Sequence, residues 1–178
     1  MPKFQDTTPV PHSAGQMFDL VADVERYPEF LPMCEALRVK ERRERDGMTT
    51  LIADMTVGYK MIRETFTSRV LLKPEQNIID VSYLEGPFRY LNNRWTFEPR
   101  NEGGCDVVFF IDYEFKSRAL GMVMGAMFDR AFHMFSQAFQ KRADVIYGQD
   151  NAFLANCHTR LAYRTNDHKN GEFLSKLL

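Results

Sequence analysis

From Cys105 to Phe115 apolar and polar side chains alternate, with Cys105, Val107, Phe109, Ile111, Tyr113 and Phe115 on one face and Asp106, Asp112 and Glu114 on the other. This is the period of a half-buried strand with its odd-numbered face inward. Trp95 and Phe97 alternate in the same way before the polar turn Pro99 to Gly104, and Leu91 and Asn93 continue that face, so the two runs are expected to pair as a hairpin. A second hairpin is expected at Asp46-Gly47, a dipeptide that accepts the positive φ angles of a tight turn, between strands Leu37 to Arg45 and Met48 to Val57. Leu51, Ala53, Met55 and Val57 give the inner face, Gly58-Tyr59-Lys60 the next turn, and Ile62, Glu64, Phe66, Ser68, Val70 and Leu72 the following strand. Lys73 to Gln76 turns again into Ile78 to Leu84, and Phe4 to Val10 supplies a first strand. The sum is one mostly antiparallel sheet of six or seven strands.

Two helices interrupt this pattern. Ser13 with Gln16 three residues later forms a capping box that opens a helix through Leu20 and Ala22, and Tyr27-Pro28 breaks it. Pro28 to Cys34 is too apolar for a free loop and is expected to fold back onto the domain. Ser117 to Gly148 contains no proline and reads as a single helix of ~45 Å at 1.5 Å per residue. Leu120, Met124, Met127, Ala131, Phe135, Ala138 and Arg142 descend one face, widened by Phe128, Phe132 and Phe139. The first turns, Leu120 to Met127, are apolar nearly all round. That end, together with Phe30-Leu31-Pro32, is expected to form the lip of a pocket and to touch a membrane surface.

Composition narrows the function classes. A net charge of −1 lacks the footprint of a dedicated nucleic-acid binder, and DNA is not expected as a partner. Three cysteines without CxxC spacing point to neither a disulfide framework nor a metal site and fit a reducing cytoplasm. No segment has the length or apolarity of a signal peptide or a spanning helix. Fifteen Phe and ten Met are the anomaly: flat and flexible apolar side chains suit an irregular cavity as well as a core. Residues 1–148 are read as one α+β lipid-binding domain and 149–178 as a polar, disordered C-terminal tail.

An antiparallel sheet closed by one long helix suggests a lipophilic cavity between them. By inward alternation Met55, Phe66, Trp95, Phe97, Phe109 and Ile111 on the strands and Met127, Phe128, Phe132 and Phe135 on the helix are expected to line it. Tyr59, Tyr83, Asn93 and Tyr113 offer hydrogen bonds to a carbonyl, and Phe30, Leu31 and Phe88 complete the ligand-binding set. No catalytic cofactor and no metal are expected. An enzyme would need an acid and a base in the cavity, for which Glu64 and, more weakly, His133 are candidates; no nucleophile, metal or phosphate-loop motif is present. Lys40, Arg42, Arg43 and Arg45 flank the Asp46-Gly47 turn, interrupted by Glu41 and Glu44, and form a basic cluster able to meet phosphate.

Tyr27-Pro28-x-Phe30-Leu31-Pro32-x-Cys34, then Gly86-Pro87-Phe88-x-x-Leu91, Trp95-x-Phe97, Tyr113-Glu114-Phe115 and Ala138-Phe139-x-x-Arg142-Ala143 with Tyr147 resemble the ubiquinone-binding START-domain family over about residues 1 to 148. Met33 departs from the residue common at its position. The resemblance implies the helix-grip (START/Bet v 1-like) fold, in which the sheet wraps the C-terminal helix around a lipophilic cavity. It also implies non-enzymatic binding of ubiquinone as a ligand, in support of respiration and ubiquinone biosynthesis, in the cytoplasm or peripherally on the inner membrane. Polyketide cyclases share the fold class, and a bacterial branch of the family is described as binding the large ribosomal subunit and blocking subunit association.

Overall fold

The computed structural model describes residues 3–161, with side chains described through Gly148. Strand β1 (Lys3–Val10) leads into α1 (Ala14–Ala22), a 3-10 turn and the four-residue helix α2 (Tyr27–Phe30). Strands β2 (Cys34–Arg45), β3 (Met48–Tyr59), β4 (Ile62–Lys73), β5 (Ile78–Glu85), β6 (Phe88–Pro99) and β7 (Cys105–Phe115) follow, and α3 (Arg118–Leu161) closes the chain. All seven strands form one antiparallel sheet in the order β1-β7-β6-β5-β4-β3-β2, so the first strand joins the last and the remainder is a meander. This is the expected helix-grip architecture.

Local chemistry accounts for the elements. Ser13 caps α1 through Oγ, which accepts from the Gln16 amide, while Gln16 Oε1 accepts from the Ser13 amide, so two otherwise orphaned amide donors are satisfied reciprocally. Asp46 and Gly47 take φ values of 54° and 75°, the turn that matches the twist of the β2–β3 hairpin. The β3–β4 turn falls at Lys60-Met61, two residues beyond the expected Gly58-Tyr59-Lys60, because Gly58 and Tyr59 still pair with Arg63 and Ile62. Lys60 accepts the positive φ, at 54°. The alternation of β7 is regular throughout: every odd-numbered residue from Cys105 to Phe115 is buried.

Helix α3 extends to Leu161, past the expected end at Gly148. Glycine in a helix interior costs only about 1 kcal/mol, and the sequence has no proline to stop the helix there. The tail expected at 149–178 is therefore helical backbone as far as Leu161, and residues 162–178 lie outside those described. Met124, Met127, Phe128, Ala131, Phe132, Phe139 and Ala143 are buried at the i, i+3, i+4 spacing of a single stripe that packs into the concave face of the sheet. From Arg118 to Lys141 no side chain of α3 makes a hydrogen bond or ion pair to the sheet among the described residues; apolar side chains, rings foremost, make the contact. Phe132 lies 5.7 Å from Phe109 and 5.8 Å from Tyr113 between centroids, and Phe128 lies 5.4 Å from Phe115.

Candidate ligand cavity

The sheet and α3 do not meet everywhere. Between them lies a cavity of about 140 Å³ with an almost wholly apolar wall. Alternation places its sheet side: Ala53, Met55 and Val57 from β3, Phe66, Ser68 and Val70 from β4, Ile79 and Val81 from β5, then Phe88, Leu91, Asn93 and Trp95 from β6 and Phe109 and Ile111 from β7. Phe128, Phe132, Phe135 and Phe139 of α3 form the opposite wall, and Val24, Tyr27, Leu31 and Leu37 close one side.

Of the residues expected from sequence, Leu31, Met55, Phe66, Phe88, Asn93, Trp95, Phe109, Ile111, Phe128, Phe132 and Phe135 are brought together around this space. Phe97 is not among them. It turns under α1 against Phe18, with the ring of Trp95 between it and Phe109. Met127 is buried on the α3 stripe away from the cavity wall. Tyr59 lies at the exposed end of β3, its ring beneath the Lys60 ammonium. Tyr83 and Tyr113 face inward but stand behind Phe88, edge-on to its ring at 5.7 and 6.2 Å, and do not line the space. Burial pushes the Tyr113 phenol up to about 12, with the nearby Asp129 carboxylate adding to the shift, so it is neutral and a hydrogen-bond donor at any physiological pH.

The lip expected from α3 and Phe30-Leu31-Pro32 is not assembled. Phe30 packs on Phe139 and under the Arg142 guanidinium, roughly 25 Å along the helix from Met122 at 1.5 Å per residue. Short α2 is held there because Arg142 Nη2 donates to Glu29 at 2.7 Å. Tyr27 donates to the Val21 carbonyl, and its burial, with Cys34 and Asp23 nearby, raises its pKa strongly. The beginning of α3 instead follows directly on β7, at the other end of the sheet. Met122 and Val123 are exposed there, as are Tyr59, Leu84 and Met61, the last at 99%. The first turns of α3, apolar on all sides, are thus exposed at one end of the molecule and share no lip with α2.

Sequence reasoning missed Ser68, a buried polar residue of the wall with 5% exposure. The signal was present: Ser68 occupies an inward position in the alternation Phe66, Ser68, Val70. Tyr27 and Phe139 were visible as members of the resemblance blocks and are also cavity residues.

The acid–base pair of an enzyme is not assembled. Glu64 is on the inner face of β4 but one inward position beyond Phe66 toward the sheet end, outside the cavity wall. His133 is exposed on the outer flank of α3, edge-on to Phe4 at 5.1 Å. Among the described residues no charged side chain lines the cavity.

The profile of the family described as "Polyketide cyclase / dehydrase and lipid transport" matches residues 10–140, and the chain belongs to that family. It is 36% identical over 147 residues to the ribosome association toxin RatA of Escherichia coli (strain K12), covering 83% of this chain and 90% of that protein. It is 31% identical over 146 residues to the mitochondrial coenzyme Q-binding protein COQ10 homolog B of Xenopus laevis, covering 80% of this chain and 58% of that protein. Among solved structures, the 18 kDa protein CC1736 of Caulobacter crescentus superposes with a TM-score of 0.71 at 36% identity, over 83% of this chain and 99% of that one. A START superfamily protein from Mycobacterium smegmatis superposes with a TM-score of 0.68 at 19% identity, over 81% and 98%, and shares the fold. Among the described residues no helix is long and apolar enough to cross a membrane.

Proposed function

We propose that this chain is a non-catalytic carrier of an isoprenoid quinone of the ubiquinone class, bound between the sheet and α3. The observation that carries the reading is the cavity wall: phenylalanine, aliphatic side chains and one tryptophan, with Ser68 and Asn93 as polar members and no charge. A charged ligand would lose its hydration there without a partner, at a cost of several kcal/mol. A neutral flat ring gains about 25 cal/mol for each Å² of apolar surface it buries. The name of the Xenopus relative points to the same ligand class. A free volume of about 140 Å³ matches one ring-sized group, since a cavity of about 150 Å³ takes a benzene. A polyprenyl tail exceeds that free volume and extends beyond it.

Organic extraction of detergent-free protein, followed by mass spectrometry and a borohydride difference spectrum, tests this. Near-stoichiometric quinone, or its uptake from added quinone, is expected; protein that arrives empty and takes up none overturns the reading.

A second reading is association with the ribosome, favoured by the relatives named RatA and by the exposed basic hairpin. The structure tempers that cluster: Lys40 pairs with Asp54 at 3.1 Å, Arg43 with Glu41 at 3.3 Å and Arg45 with Asp46 at 3.4 Å. Cosedimentation with large ribosomal subunits that fades with added salt and with Arg42→Glu and Arg45→Glu favours this reading. Sedimentation indifferent to both counts against it.

A further inference from the structure

Among the described residues the buried side-chain oxygens that lack a hydrogen-bond partner are the hydroxyls of Ser68, Tyr83 and Tyr113. An unmet buried hydroxyl costs about 1–3 kcal/mol, and native proteins keep few of them. These three share one neighbourhood. Ser68 is the direct cross-strand partner of Tyr83, which puts both side chains on the inner face a few ångströms apart. Tyr83 and Tyr113 in turn flank the ring of Phe88. The pairing of β4 with β5 is irregular at this point: Thr67 opposes Glu85 while Ser68 opposes Tyr83, so Leu84 is an extra residue in the ladder. Such bulges turn side chains locally. At the far end of the same cavity, among Ile79, Trp95, Phe109 and Phe139, the one hydroxyl of the wall is that of Tyr27, and it is already committed to the Val21 carbonyl.

The cavity is therefore polarised along its length. We propose that its Phe88 end is a recognition site for the carbonyl oxygen of a flat-ring ligand, with Ser68 Oγ donating to it from the wall, Tyr83 supporting the same end from behind Phe88, and the apolar remainder lying toward Trp95. The proposal rests on the quinone-binding reading and adds to it the ligand's orientation and the residues that separate a quinone from a hydrocarbon of the same shape. A quinone carbonyl only accepts, and hydroxyls that fold leaves without acceptors are free to donate to it. Tyr113, behind Phe88, is placed to support the same end.

Trp95 is the single tryptophan and lies on the wall, so its fluorescence reports occupancy. Titration uses two probes of matched size: a benzoquinone with one isoprene unit and the corresponding prenylbenzene without ring oxygens. The Ser68 hydroxyl is expected to contribute roughly tenfold in Kd, from about 1.4 kcal/mol per decade and a hydrogen bond at the upper part of its usual range. Ser68→Ala should weaken the quinone about tenfold and leave the hydrocarbon unchanged, whereas Tyr59→Phe changes neither. If Ser68→Ala binds the quinone as wild type does, the recognition site is overturned while the cavity reading stands. If wild type binds neither probe, the cavity reading itself fails and the orientation with it.

Discussion

Replacing Ser68 by alanine should make the empty protein more stable. Serine at this position is 5% exposed, its Oγ has no partner, and its Cβ sits among Phe66, Val70 and Tyr83, so the substitution removes one oxygen and disturbs little packing. Folding strips that hydroxyl of water, a loss of about 1–3 kcal/mol when nothing replaces the bond. Because a cavity of about 140 Å³ adjoins it and is roomy enough for water, the lower end of that range applies, about 1 kcal/mol. For a chain of this size that shift corresponds to a rise of roughly 2–4 °C in Tm. Differential scanning calorimetry of detergent-free, ligand-free protein measures it, with Ser82→Ala on the exposed face of β5 as the control expected to change nothing. Added quinone should invert the order, since a ligand held by Ser68 stabilises wild type more, by RT ln(1 + [L]/Kd). A Tm that falls by 2 °C or more in the empty variant would refute the reasoning, because it would mean the hydroxyl is satisfied and structural.

Further outcomes follow from other parts of the molecule. Phe132→Ala removes a ring that is 2% exposed and touches Phe4, Phe109, Tyr113, Phe128 and Phe135 in one place. It should cost about 3–5 kcal/mol in chemical denaturation and widen the range of ring-sized ligands accepted. Met61→Glu combined with Met122→Glu, both on exposed side chains at one end of the sheet, should reduce flotation with anionic liposomes several-fold while leaving Tm unchanged; equal flotation would remove the membrane surface as a partner. Cys34 and Cys105 are raised to about 11 by burial, with Asp106 adding to the shift at Cys105, so neither thiol should react with iodoacetamide in native protein at neutral pH. The sign for stability follows: the unfolded thiols ionise near 9 and the folded ones near 11, so the unfolded state loses protons first. Stability should decline from about pH 9 to about 11 and less steeply in the Cys34→Ala, Cys105→Ala double variant, as equilibrium urea unfolding across that window would reveal. Arg142→Met, which removes the link to Glu29, should loosen α2 and speed proteolysis near Tyr27–Phe30.

Most of the fold was legible because its signals are local and redundant. The alternation of β7, the Asp46-Gly47 turn and the Ser13–Gln16 capping box each depend on spacing within a few residues, and each has the structure its spacing requires. The site was legible only as far as alternation reaches. Facing inward is a property of one strand, but lining a cavity depends on what stands in front. Tyr83 and Tyr113 face inward and are screened by Phe88, and Phe97 faces inward beneath α1 rather than α3. Ser68 escaped notice because a small polar residue in an apolar alternation carries no weight until its hydroxyl is seen to have no partner. The end of α3 and the position of Phe30 were misjudged for another reason. A proline-free polar stretch is compatible with helix or coil, and which part of a long helix receives a distant segment is a tertiary fact, here decided by Glu29 and Arg142.

The long middle of α3 is joined to the sheet by apolar contacts, most of them rings, whereas its later turns are pinned by Arg142 to Glu29 and by Asp144 to His12. Ring-on-ring contacts of about 0.5–1.5 kcal/mol each tolerate sliding and tilting in a way that aligned donors and acceptors do not. The start of α3 is tied as well, since only Lys116 and Ser117 separate it from β7 and the Lys116 amide donates to the Pro87 carbonyl. A helix held at both ends and greased between them can bow without letting go, so the residence time of any cargo would be governed by how often the span bows, and stiffening either tether would lengthen it without altering a single atom of the wall.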